Sequence, residues 1–342
     1  MKLPALTLLF AKIALVFTFI VVIVGSVVRM TGSGMGCPDW PKCFGHYVPP
    51  VSDEELTYQE GMSFDKGMMI IYHDTLWVAN HDLVLHGSFD RNDWHKYPKH
   101  DYATFNALHT WVEYINRLAT VLYAIPVLIL SVCALLMLIR YKDLRVFLLA
   151  LFADIMIGYE IWLGKLVVDG NLKENSITYH MFGSIAIIAL LILLVNRLTA
   201  GKMEVRSTAS FKWGMIIMLV MTFMQIMLGT QVREQVDIVA KEVADRSMWI
   251  EMLPVVFKIH RSFSIVVVLL AIWLYLQYRK QSFRLRSVNA MFFLCGIEIL
   301  VGVILSYLSM PALMQPAHLL LGVMLFAASF FSILNLTNRV SS

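Results

Sequence analysis

The chain has 342 residues, 58% hydrophobic and 15% charged, with a net charge of +4 at pH 7 and a mean hydropathy of +0.69. That composition excludes an ordinary soluble enzyme and describes a polytopic membrane protein. The small positive charge follows from loop asymmetry and gives no reason to expect a nucleic-acid partner.

Eight apolar segments are long enough to span a bilayer, at 8–28, 108–139, 145–167, 176–196, 211–232, 255–278, 287–309 and 316–337. A span needs about 20 residues. The second segment is longer and predicts tilt or projection beyond the membrane. The first runs straight into Arg29 with no small-residue cleavage pattern, so it is read as a retained helix. The loops near 140–145, 197–212 and 279–286 hold Arg140, Lys142, Arg145, Arg197, Lys202, Arg206, Lys212, Arg279, Lys280, Arg284 and Arg286, against only Asp143 and Glu204. The positive-inside rule places these loops and both termini in the cytoplasm. The outer side then carries the acidic 30–107 loop and a shorter loop near 234–254.

Cys133 and Cys295 fall inside apolar segments and read as buried small hydrophobes. Cys37 and Cys43 sit in the first outer loop, in Cys-Pro-Asp-Trp-Pro-Lys-Cys. An oxidising compartment would favour a disulfide there. Free thiols or a metal site are the alternatives, although no adjacent His/Cys set completes a zinc pattern.

The two halves of the chain resemble each other. Gly158-Tyr-Glu160 and Gly296-Ile-Glu298 match at an offset of 138 residues, and so do His180 and His318. Asn116-Arg117 matches His260-Arg261, and Gly25-Ser-Val-Val-Arg29 matches Gly229-Thr-Gln-Val-Arg233. The long first outer loop accounts for the larger offset of the earliest pair. The predicted fold is therefore an all-α integral membrane protein of eight transmembrane helices, arranged as two tandem pseudo-symmetric four-helix bundles. The halves are 1–198, containing the 30–107 loop, and 209–338. An even helix count lets both enter the membrane in the same sense.

Of the ten histidines, His46, His73, His81, His86, His95 and His100 lie in the first outer loop and read as solvated. His109, His180, His260 and His318 sit at the outer ends of the even-numbered segments. His260 and His318 fall at equal depth in one half. Facing imidazoles in a four-helix bundle are the geometry that holds haem b. Zinc would want further ligands, and this half shows no exposed carboxylate or thiolate to supply them. In the other half His180 matches His318, but Asn116 stands where His260 would be.

The second segment opens on His109, Glu113, Asn116 and Arg117, whose spacings put them near one helical face. Polar side chains on a membrane helix are costly and mark functional sites. His109 lies two turns, roughly 10 Å, above Asn116. It is either a displaced iron ligand or none; His180 alone would leave a coordination position open. Glu113 has no counterpart in the other half, where Phe257 takes its place. It reads as an acid/base or electrostatic group, the alternative being a carboxylate paired with Arg117. Arg29, Arg233 and Arg261 either snorkel at the membrane boundary or meet haem propionates.

The stretch Gly25-Ser-Val-Val-Arg-Met-Thr-Gly-Ser-Gly-Met-Gly-Cys-Pro-Asp-Trp-Pro-Lys-Cys-Phe-Gly45 resembles the first-helix signature of the haem A synthases, and the likeness extends over nearly the whole chain. The resemblance implies a membrane oxidoreductase that oxidises the C8 methyl of haem O to a formyl group, giving haem A for cytochrome oxidase. It implies a haem b cofactor between His260 and His318, a substrate-iron ligand at His180 and a catalytic Glu113 beside Arg117. It implies a disulfide between Cys37 and Cys43. The family's Glu-x-x-His-Arg reads Glu113-Tyr-Ile-Asn116-Arg117 here, so the histidine does not carry over. The expected partners are haem O, membrane lipid, a haem O synthase, a quinol or thiol electron donor and a second copy of the chain. The expected location is the cell (inner) membrane. The rivals are a non-catalytic cytochrome b, a haem transfer protein or a purely structural assembly factor.

Overall fold

A computed structural model describes residues 2–99, 104–169, 175–199 and 205–338. His100, Lys202 and Glu204 lie outside the described residues. Among those described, eight helices are long and apolar enough to cross a membrane: α1 Leu3–Met30, α2 Ala107–Tyr141, α3 Leu144–Asp169, α4 Ser176–Leu198, α5 Ala209–Glu242, α7 Val255–Arg279, α8 Arg286–Tyr307 and α9 Met314–Leu334. A four-residue helix, α6 Trp249–Met252, precedes α7. The chain is an all-α integral membrane protein. Leu128, Leu269 and Phe293 point outward although apolar, as side chains facing lipid do.

α2 has 35 residues, about 50 Å of helix against a hydrocarbon core of about 30 Å. α5 also outruns its apolar segment. A loop was expected from 234, yet α5 continues to Glu242. The reason is a narrow stripe. Val232, Val236 and Val239 recur at helical spacing and are buried with Trp249, Leu253 and Phe257. The charges around them end the hydropathy signal without ending the helix. At the other end α9 stops at Leu334, and Leu336–Asn338 (β7) pairs in parallel with Val205–Ser207 (β6).

The chain divides into two compact units. One comprises Met1–Ser26, Val121–Glu160 and Ile177–Ser342. It is built on three apolar clusters. The first joins α1, α2, α3 and α4 through Ala14, Tyr123, Leu130, Ala150 and Leu191. The second joins α5, α7, α8 and α9 through Phe211, Met218, Leu274, Met291 and Leu325. The third links α1, α4, α5 and α9 through Val22, Ile188, Ile226 and Val323.

The other unit comprises Val27–Thr120 and Ile161–Ser176. Its strands are β1 Ser63–Phe64, β2 Met69–Tyr72, β3 Thr75–Ala79, β4 Leu83–Val84 and β5 Trp94–Lys96. β2, β3 and β5 form one antiparallel sheet, and β1 pairs with β4. The β2–β3 hairpin turns on His73 and Asp74, both at positive φ, a conformation that His and Asp tolerate better than most residues. A small core of Phe44, Leu56, Met69, Leu76 and Tyr97 surrounds Cys37 and Cys43.

Candidate functional site

In the unit built on the first outer loop, the chain leaving α1 lies down on the first turns of α2. Gly36 makes this possible, since a Cβ there would meet the His109 carbonyl oxygen at 2.4 Å. The Gly36 carbonyl accepts from Thr110 Oγ1 at 2.7 Å. Cys37 and Cys43 are joined by a disulfide, as the signature stretch implied. The Cys37 amide donates to Glu113 Oε2 at 2.9 Å.

Glu113 is 5% exposed. Its second oxygen accepts from Arg117 Nη2 at 2.5 Å. The other arm of that guanidinium donates to the carbonyls of Asp39 and Lys42 at 2.8 and 2.7 Å. The ion pair offered as the alternative reading of Glu113 is therefore present, and it belongs to a larger device. Arg117 ties the disulfide loop to the helix and holds Glu113 in a single place. A buried carboxylate with charge-assisted partners on both oxygens is preorganised.

Beneath the loop, Asp39 Oδ2 accepts from the Gly45 amide at 3.0 Å. Burial pushes the Asp39 carboxyl above its usual 3.8, outweighing the Gly45 and Phe44 amides and the Arg117 charge. Tyr97 donates to the Pro38 carbonyl at 2.6 Å, and burial pushes its phenol up to about 12. The half-buried Asn116 has an Oδ1 that is buried without a hydrogen-bond partner among the described residues. His109 is half-buried in the first turn of α2, its amide capped by Asn106 Oδ1 at 3.1 Å.

In the other unit His260 on α7 faces His318 on α9. The ring centroids are 6.3 Å apart and the planes cross at 86°. Two imidazoles each about 2 Å from one iron put their ring centres roughly 6 Å apart. Two glycines clear the ring edges. A Cβ at Gly229 on α5 would come within 3.3 Å of His260 Cε1, and one at Gly302 on α8 within 3.3 Å of His318 Cε1. Among the described residues no group of three or more His, Cys, Asp or Glu side chains could hold a metal ion by itself. Two facing imidazoles suit a haem, whose porphyrin supplies the other ligands, so these residues fit a haem.

His180 on α4 hydrogen-bonds Glu160 Oε2 on α3 through Nδ1 at 2.8 Å. The other half repeats the arrangement, with His318 Nδ1 3.1 Å from Glu298 Oε1 on α8. The sequence reading gave neither glutamate a role, although both stand in the matched Gly-x-Glu stretches. Glu298 is half-buried and stands beside His318. The signal was present, since the glutamates and the histidines repeat at the same offset.

Of the boundary arginines, Arg233 donates to Gln315 Oε1 at 2.6 Å and to Asp237 Oδ1 at 2.5 Å. Arg261 is exposed, its guanidinium 5.5 Å from the Phe257 ring centroid. Arg29 is half-buried.

Eight apolar helices define a multi-pass membrane protein, and its facing imidazoles are a pair that could hold a haem. The chain belongs to the COX15-CtaA family, described as cytochrome oxidase assembly protein, whose model matches residues 8–72 and 90–330. It is also similar to a protein of Shewanella oneidensis named heme A synthase, at 26% identity over 223 residues, 64% of this chain and 54% of that protein. The chain thus matches about half the length of this relative.

Proposed function

We propose that this protein is a haem A synthase, an enzyme that oxidises the C8 methyl of haem O to a formyl group. The observation that carries the reading is the His260/His318 pair at bis-histidine separation in a buried bundle. Family membership and the named relative support it. On this reading the 209–338 half holds a haem b cofactor through His260 and His318, and the group supplies one-electron transfer when bound.

The 1–198 half takes haem O as substrate. His180 supplies an iron ligand, and Asn116, which cannot match His260 as a ligand, leaves one coordination position without a strong protein donor. His109 is the other helix-end imidazole in that half and stands as the second candidate. Glu113 moves a proton or stabilises charge at the methyl being oxidised, and Arg117 keeps it aimed. Arg29, Arg233 and Arg261 serve the propionates, with Arg233 exchanging Asp237 or Gln315 for that charge. Haem O carries an apolar tail, which suits a site in the bilayer. The enzyme sits in the cell membrane with both termini cytoplasmic, receives haem O from a haem O synthase, draws electrons from a quinol or thiol donor and associates with copies of itself.

The test is a haem extract from cells that express the protein beside a haem O synthase. Haem A should accumulate. Folded protein that carries haem b while only haem O accumulates would exclude the assignment. A second reading, a cytochrome b or haem carrier without chemistry, draws on one observation: both Glu113 oxygens are already engaged. On that reading Glu113→Ala leaves function intact.

A further inference from the structure

The two halves place a glutamate on the imidazole edge of a candidate iron ligand. His180 meets Glu160 in an aligned hydrogen bond of 2.8 Å. His318 comes within 3.1 Å of Glu298, at ion-pair distance but without hydrogen-bond alignment. Histidine χ2 is soft, so a small ring rotation would align it. In each pair the histidine presents Nδ1. A neutral imidazole has one donor and one acceptor nitrogen, and the partner on one nitrogen decides what the other can do.

Further features point the same way. The remaining oxygens, Glu160 Oε1 and Glu298 Oε2, are buried with no hydrogen-bond partner among the described residues. A carboxylate inside a membrane bundle is expensive and persists only with a partner; the partner found here is the imidazole. A glycine one turn along the histidine's own helix makes the room. A Cβ at Gly183 would lie 1.9 Å from Glu160 Oε1, and one at Gly322 would lie 3.1 Å from Glu298 Oε1. His260 is different. Its Nδ1 is buried without a partner, and Gln225 reaches only its backbone carbonyl, at 3.2 Å.

We infer that Glu298 is a positioning residue for haem b, accepting the Nδ1 proton of His318 and leaving Nε2 for the iron. The inference rests on the haem A synthase reading. A carboxylate on the far nitrogen raises the ligand's basicity and donation to the metal. The two imidazoles would then be unequal toward a haem, with His318 the stronger donor and His260 an ordinary imidazole. Glu160 plays the corresponding part for His180.

The experiment is a redox titration of purified holoprotein, with low-spin ferric EPR beside it, for wild type, Glu298→Gln and Glu298→Leu. Loss of the anionic acceptor destabilises ferric iron. The haem b midpoint potential should therefore rise from wild type to Gln and again to Leu, with haem content retained and the ferric g values shifted. A merely structural glutamate, pinning α8 to α9, would be replaced by glutamine with no change in potential. Glu160→Gln should leave the haem b potential where it was. If Glu298→Leu does not fold, Gly322→Ala puts a Cβ 3.1 Å from Glu298 Oε1, which pushes the carboxylate by a few tenths of an ångström without removing it and should move the potential slightly in the same direction. Equal potentials and g values across wild type, Gln and Gly322→Ala overturn this inference alone. Wild-type protein without a bis-histidine spectrum overturns the parent reading as well.

Discussion

In the C-terminal half His318, backed by Glu298, faces a second imidazole, His260. In the N-terminal half His180 is backed by Glu160 in the same way, but the position matching His260 is Asn116. That half instead has Glu113, fixed by Arg117 and by the amide of a disulfide-bonded cysteine. Two imidazoles saturate an iron and suit electron transfer. One imidazole with a fixed carboxylate elsewhere in the half suits chemistry on a bound molecule. The histidine–glutamate pair thus occurs twice at one sequence offset, while the remaining groups differ.

The comparison can be broken most severely at the iron. His318→Ala removes one of the two imidazoles proposed to hold haem b, and purified protein should lose its Soret band; a wild-type spectrum would mean that the pair does not hold the haem. Next comes Glu113→Gln. Haem A formation should fall by roughly 100-fold or more, the scale of a lost acid/base group, while the haem b spectrum stays unchanged. Parallel loss of haem b would instead make Glu113 structural. Gly36→Ala tests whether the loop must lie on α2. The new Cβ would sit 2.4 Å from the His109 carbonyl oxygen, so the loop must lift and the Cys37 contact to Glu113 must lengthen. Misplacement of about 1 Å costs up to roughly 100-fold, measured again as haem A per mole of haem b.

Asn116→His sharpens the comparison. It offers the N-terminal half the imidazole found at 260, and the low-spin haem content per protein should increase; an unchanged spectrum would show that the helix position alone does not make a ligand. The smallest effect is expected at Asp39. Its folded carboxyl titrates above the usual 3.8 because it is buried, so the folded state binds the proton more tightly than the unfolded one. Stability is then fully present below the unfolded value and declines as pH rises towards the raised folded value. Asp39→Asn keeps an acceptor for the Gly45 amide and should flatten that decline, read as melting temperature against pH.

Much of the architecture was legible in the chain. The eight spans followed from hydropathy, because a bilayer demands about 20 apolar residues each time. The end of α5 was not legible, since the three valines that continue it are outnumbered by charges and gain their burial from Trp249, Leu253 and Phe257. The β-strands of the outer loop were also missed. They are two to five residues long, too short for a periodic signal, and their core closes around a disulfide.

At the site, sequence singled out His180, His260 and His318 by type and repeat, and Glu113 by its lack of a counterpart. It gave Glu160 and Glu298 no role, although they share the histidines' offset, because an offset says nothing of which side chains touch.

What the sequence determined by itself is the membrane class, the eight spans and the signature stretch from Gly25 to Gly45, all local or periodic properties of the chain. Only the tertiary structure decided that Arg117 spans two loop carbonyls and Glu113, that the Cys37 amide completes that carboxylate's shell, and that one imidazole of the facing pair has a carboxylate behind it while the other has none. Those relations join residues up to 78 positions apart. Hydrogen bonds and close packing act over a few ångströms in space, and the chain brings such residues together only when the helices have packed.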